Sequence, residues 1–84
     1  MVIALPDKFE VRVPELGKVD EVNLIEWKVS PGDEVTEGME VAEIETMKST
    51  FSVDAPATGL LEEVFVEPGE EVALDEVLAT IKPH

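Results

Sequence analysis

Eighty-four residues are enough chain for one domain with one modest core, and the absence of cysteine leaves no disulfide framework, thiolate metal site or thiol nucleophile. Twenty acidic against 6 basic residues give a formal charge of −14, which repels nucleic-acid phosphates and anionic lipid and makes any charged partner a basic one. The opening Met1-Val2-Ile3-Ala4-Leu5 is too short for a signal-peptide core or a spanning helix, so the expectation is a soluble, cytoplasmic, monomeric chain that binds neither nucleic acid nor membrane.

Residues 1–8 hold a short apolar run broken by Pro6-Asp7 and are expected to form an N-terminal extension to a single domain over 9–84. Phe9-Glu10-Val11-Arg12-Val13 alternates apolar and polar residues, with Phe9, Val11 and Val13 on the core face, and Pro14 ends the strand. A polar loop at Lys18-Val19-Asp20-Glu21 leads to a strand over 23–29, where Trp27 is read as a core or half-buried ring. Ser30-Pro31-Gly32-Asp33 is a turn in which Pro sets φ at the entry and Gly32 accepts the positive φ that follows. A second bend at Glu37-Gly38 delivers the chain to Val41-Ala42-Glu43-Ile44-Glu45, which alternates again, as does Thr50-Phe51-Ser52-Val53-Asp54 beyond Met47-Lys48. These two strands meet in a hairpin whose centre lacks Gly, Asn and Asp, so a type I turn is expected. A turn at Ala55-Pro56-Ala57-Thr58-Gly59, a strand from Leu60 to Val66, a turn at Glu67-Pro68-Gly69-Glu70 and a strand near Val77–Ile81 complete the chain. No stretch sustains a helical period.

Residues 22–45 align without a gap onto 59–82 at an offset of 37. The phrase Val-x-Pro-Gly-acidic-Glu-Val occurs at Val29 to Val35 and at Val66 to Val72. A unit of short strands used twice, neither copy able to bury its apolar face alone, predicts an all-β flattened barrel or sandwich of two antiparallel sheets with pseudo-two-fold symmetry. One copy runs into the lysine hairpin and the other into the C-terminus, so tip and termini are expected at opposite ends, with Gly32, Gly59 and Gly69 as structural glycines.

Glu45-Thr46-x-Lys48 at a hairpin tip is similar to the attachment site of lipoyl domains, and Met47-Lys48 is similar to that of biotin carriers. Over about residues 9–82 the chain resembles the lipoyl domain of 2-oxo acid dehydrogenase acyltransferases. The resemblance rests on Val13-Pro14-Glu15-Leu16-Gly17, Glu26-Trp27, Gly32-Asp33, Val35, Gly38, Ala42-Glu43-Ile44-Glu45-Thr46, Lys48 and Gly59. Gly32 lies sixteen residues before Lys48 and Gly59 eleven after it, the spacing found in that family. Met47 stands where the family usually has Asp and Ser49 where it has Ala, and the loop after Gly17 lacks the Gly common before the second strand.

The resemblance implies a swinging-arm carrier of the barrel-sandwich hybrid type whose Lys48 forms an amide with lipoate, with Glu45, Thr46, Met47 and Ser49 as the motif that a lipoate protein ligase reads. The arm would shuttle acyl groups and electrons among a thiamin-dependent 2-oxo acid decarboxylase, an acyltransferase and the flavoprotein dihydrolipoamide dehydrogenase. Two alternatives stay open: a biotin carboxyl carrier modified at Lys48 by a biotin ligase, and an unmodified β-domain for protein interaction. In none of these is the domain an enzyme, because a cofactor carries the chemistry and the protein supplies position. No catalytic or metal-binding set is expected. His84 is the last residue, the pairs Glu62-Glu63 and Glu70-Glu71 face opposite sides of a strand, and Asp-x-Asp calcium spacing is missing. Lysines 8, 18, 28 and 82 lack the strand-turn-strand setting of Lys48.

Overall fold

In the computed structural model, residues 8–17 and 21–83 are described. The expectations for residues 1–7, for the loop at 18–20 and for His84 fall outside them. Eight strands follow in order: β1 Phe9–Arg12, β2 Val22–Trp27, β3 Glu34–Val35, β4 Glu40–Glu45, β5 Thr50–Asp54, β6 Gly59–Val64, β7 Glu71–Val72 and β8 Val77–Pro83. They form two four-stranded antiparallel sheets, β1-β8-β6-β3 and β5-β4-β2-β7. The all-β two-sheet architecture read from alternation is therefore present. Strands β2 and β6 stop two residues earlier than their apolar runs, at Trp27 and Val64, and Val29 and Val66 beyond them are buried.

The offset of 37 maps strand bounds onto strand bounds: β2 onto β6, β3 onto β7, and the start of β4 onto the start of β8. Bulges recur too, between Leu24 and Glu26 and between Leu61 and Glu63. The symmetry reaches further than the repeat in the sequence. Phe9 faces Ile81 as Phe51 faces Ile44, so residues 8–17 correspond to 50–59 at an offset of 42. Val11 and Val53, Pro14 and Pro56, and Gly17 and Gly59 are identical pairs on this second offset. The two offsets differ because the first half has five more residues between Gly17 and Asn23, and that insertion hides the relation from a gap-free alignment.

Each half lends its short strand to the other: β3 pairs with β6, and β7 with β2. The Pro-Gly turns lock this exchange. Gly32 N–H donates to Leu61 O at 2.8 Å while Leu61 N–H donates to Asp33 O at 2.9 Å; Gly69 N–H donates to Leu24 O at 2.8 Å while Leu24 N–H donates to Glu70 O at 3.0 Å. Between the sheets, Val11, Leu24, Val35, Val41, Ile44, Val53, Leu61, Leu78 and Ile81 are buried, with Phe9, Trp27 and Val64 packed against them. Trp27 is half-buried and its Nε1–H donates to Val66 O at 3.0 Å, joining the halves again.

The three structural glycines serve two different needs. Gly32 and Gly69 hold φ of 95° and 94°, the left-handed region that a Cβ penalises. Gly59 begins β6 with no such φ; a Cβ there would run into Lys82 O and lie 2.9 Å from Ile81 Cγ2. Gly32→Val and Gly69→Val are expected to destabilise alike, by about 1–2 kcal/mol each. Gly59→Ala, which forces a backbone-to-backbone collision, is expected to cost about 1–3 kcal/mol. Thr80 is buried and its Oγ1 has no hydrogen-bond partner among the described residues, so Thr80→Val is expected to leave stability unchanged or raise it by about 1 kcal/mol. Urea titrations of the four variants check this set, and a loss on Thr80→Val or unequal losses at the two turns would contradict it.

Candidate functional site

The β4–β5 hairpin is the only direct strand-to-strand reversal with a two-residue tip among the described residues. Glu45 faces Thr50 across the ladder, and Thr46 N–H donates to Ser49 O at 2.8 Å, leaving Met47 and Lys48 as the loop. No residue of the tip has positive φ, so the turn is neither type I′ nor II′, in keeping with a loop that lacks Gly, Asn and Asp. Such turns match the twist of the flanking strands poorly. Here a side chain supplies the missing closure. Thr46 Oγ1 accepts from Lys48 N–H and Ser49 N–H, both at 3.2 Å, and donates to Ser49 O at 3.2 Å.

A hydroxyl offers one donor and two acceptor positions, and all three of Thr46's are used inside the tip. Accordingly Thr46 is only 7% exposed. The residues expected to form one recognition motif thus divide: Thr46 faces inward and engages backbone, while Glu45, Met47, Lys48 and Ser49 face solvent. Met47 is 83% exposed, the most open large apolar side chain described. Gly32, Gly59 and Gly69 contribute to the frame and not to the tip.

Among the described residues, Lys8 pairs with Glu62 at 3.0 Å, Arg12 with Glu10 at 2.8 Å and Lys28 with Glu26 at 2.6 Å, whereas Lys48 makes no ion pair. The hydrogen bond that Lys28 donates to Glu26 raises the pKa of its ammonium, and the bond that Arg12 donates to Glu10 does the same for its guanidinium. Among the described residues Lys48 shares its freedom from ion pairs with Lys82; what sets it apart is its place on an exposed two-residue tip fixed from beneath, a setting that suits acylation of an amine by an activated carboxylate.

The sheet also brings to the hairpin residues that the sequence did not single out. Glu71 faces Asn23, and Asn23 faces Glu45, which in turn faces Thr50, so one row crosses the sheet beside the tip. Glu43 and Ser52 form the next pair, and Ser52 Oγ donates to Glu40 Oε2 at 2.6 Å. Only the exchange of β7 onto β2 places Glu71 there. The offset of 37 pairs β7 with β3 but does not say which strand either one joins, so Glu71 had no signal in the sequence. No group of three or more His, Asp or Glu among the described residues has metal-binding spacing.

A sequence model of the biotin/lipoyl family, described as "Biotin-requiring enzyme", matches residues 9–81. The chain belongs to this family. It is 34% identical over 74 residues to the dihydrolipoyllysine-residue acetyltransferase component of the pyruvate dehydrogenase complex of Staphylococcus aureus, covering 87% of this chain and 17% of that protein. It is 37% identical over 73 residues to the dihydrolipoyllysine-residue succinyltransferase component of the 2-oxoglutarate dehydrogenase complex of Cupriavidus necator, covering 86% of this chain and 18% of that protein. The chain therefore spans less than a fifth of the length of these relatives. The solution structure of the lipoyl domain of the 2-oxoglutarate dehydrogenase complex from Azotobacter vinelandii superposes with a TM-score of 0.70 at 25% identity, over 86% of this chain and 92% of that one. Kluyveromyces lactis urea carboxylase gives a TM-score of 0.76 at 21% identity over 95% of this chain and 7% of its own, a likeness of fold alone.

Like charges crowd this small biotin/lipoyl domain, at −14 in total. Self-repulsion should make it more stable as salt rises from low ionic strength, where the Debye length is about 30 Å, to physiological strength, where it is about 8 Å. Thermal melts across that range are expected to shift upward, and flat melts would show that the acids are too far apart or too well solvated to repel.

Proposed function

We propose that this domain is a swinging-arm carrier, itself not an enzyme, whose Lys48 is covalently lipoylated and which serves a 2-oxo acid dehydrogenase-type complex. The observation that carries the reading is the tip: one unpaired amine, exposed on a two-residue loop and held from below by a fully engaged threonine. The relatives named as dihydrolipoyllysine-residue transferase components support lipoate as the group. The carrier unit is taken as residues 9–84, in line with the family match over 9–81.

In the modification step, the Lys48 Nζ lone pair attacks the carbonyl carbon of a carboxylate that a ligase has activated. The amide bond forms, the bond to the activating group breaks, that group leaves with the electron pair, and the amine releases a proton to solvent. The charge of the lysine is lost and a long arm is gained. When bound, lipoate supplies reversible acyl and electron carriage; the protein's part is to hold the attachment point away from its own core and to offer Glu45, Met47 and Ser49 to the ligase. The acidic row Glu71, Asn23, Glu45 beside the tip suits basic docking surfaces on the proposed partners: the ligase, a thiamin-dependent decarboxylase, an acyltransferase and a flavoprotein.

Biotin is the second reading, because Met47, with its open thioether, precedes Lys48 in place of an acid. Incubating the domain with each ligase and its acid, then measuring intact mass, separates the readings. The expected result is a single lipoyl adduct on wild type and none on Lys48→Arg, with the melting point of that variant unchanged, since an exposed tip residue contributes within about 0.5 kcal/mol. Met47→Asp is expected to raise lipoylation and depress biotinylation. A biotin adduct with no lipoyl adduct would replace the first reading by the second, and no adduct from either would leave an interaction module.

A further inference from the structure

We infer that Thr46 is the positioning residue of the attachment site, acting through the backbone of Lys48 and not as a feature that a ligase reads. The inference rests on the carrier reading above and deepens it. Among the four residues flanking Lys48 in the motif, Thr46 is the one turned away from any approaching protein, at 7% exposure. Its hydroxyl makes three hydrogen bonds, two of them to the N–H groups of Lys48 and Ser49 and one to Ser49 O.

The physical need is specific to this tip. A two-residue loop without positive φ is not clamped by the twist of its own strands. Without the hydroxyl, the Lys48 and Ser49 amides would have water as their partner, and the loop would have only the Thr46 N–H to Ser49 O bond at 2.8 Å to set its shape. Ser49 Oγ accepts neither amide; its contact is to Thr50 O at 3.4 Å. A ligase must bring the amine of Lys48 onto an acyl carbon held in its own active site, and alignment of reacting groups is where a loose substrate loses rate. The consequence is a cost in turnover that leaves the amine's intrinsic chemistry intact.

Two variants separate hydroxyl from methyl. Thr46→Val keeps the branched shape and removes the hydrogen bonds; Thr46→Ser keeps the bonds and removes the methyl. In steady-state lipoylation by lipoate protein ligase with lipoate and ATP, Thr46→Val is expected to lower kcat for the domain tenfold or more with a smaller change in KM, and Thr46→Ser is expected to stay within about twofold of wild type. Amide hydrogen exchange at Lys48 and Ser49 should accelerate at least tenfold in Thr46→Val and not in Thr46→Ser. Acylation of Lys48 by a small reagent, an N-hydroxysuccinimide ester read by peptide mass, should proceed alike in all three. Equal ligase kinetics for Thr46→Val and wild type would overturn the inference, as would a Thr46→Ser variant as impaired as Thr46→Val. If Thr46→Val does not fold, the serine variant and the wild-type protection of the two amides decide: rapid exchange at both in the wild type would overturn it. A wild-type chain that accepts no group from either ligase, yet shows protected amides, would overturn the carrier reading while leaving the backbone role of Thr46 in place.

Discussion

Two reciprocal pairs of backbone hydrogen bonds lock the Pro-Gly turn of each half onto the other half, and together with the β1–β8 and β4–β5 ladders they hold the domain as one body. Each Pro-Gly turn gives its glycine N–H to the second strand of the opposite half, β6 or β2, and receives that strand's N–H at the following residue, at distances of 2.8–3.0 Å. A half taken alone would leave β3 or β7 without a ladder and would expose Val35 or Val72. Unsatisfied backbone groups and bared valines are both costly. The core between the sheets is therefore complete only when both turns are made, and the tip that carries Lys48 stands on a hairpin that is itself part of this frame, through the buried Val41, Ala42, Ile44 and Val53.

Much of this frame was legible because its determinants are local. Proline sets φ, glycine takes φ near 95°, and the alternating valines and leucines mark a buried face, so the repeat at an offset of 37 announces two copies of one unit. What the letters did not show was the equivalence of β1 and β5, interrupted by five residues between Gly17 and Asn23. Nor did they show that Asp75, with φ of 65°, occupies the place that Gly38, with φ of 87°, fills in the first half. The offset pairs those two positions, and aspartate tolerates the left-handed region better than most residues, so the signal was there in the alignment. At Gly59 the glycine is demanded by a close approach to Lys82 and not by a turn, and close approaches are tertiary facts.

The candidate site divides in the same way. A lysine between two alternating strands can be read from sequence, as can its exposure, because nothing in the flanking pattern buries it. The inward direction of Thr46 cannot. A threonine beside a turn has several backbone groups within reach of its hydroxyl, and which of them it takes depends on where the strand ladder ends. In this molecule the ladder ends one residue before Thr46, at the pair Glu45 and Thr50, so the hydroxyl meets the two amides that the turn leaves open.

A two-fold fold has two equivalent ends, yet only one of them is a closed loop. The position that corresponds to the Lys48 hairpin lies in the other sheet, beyond the pair Phe9 and Ile81, where β8 finishes and β1 starts. Among the described residues no loop connects β8 directly to β1. The architecture is thus monovalent by topology: one folded copy presents one loop of this kind, whatever residues stand at the second end. An assembly built on such units can raise the number of its tip loops only by adding copies, each with its own pair of interlocked turns, so loop stoichiometry is counted in domains and not in lysines.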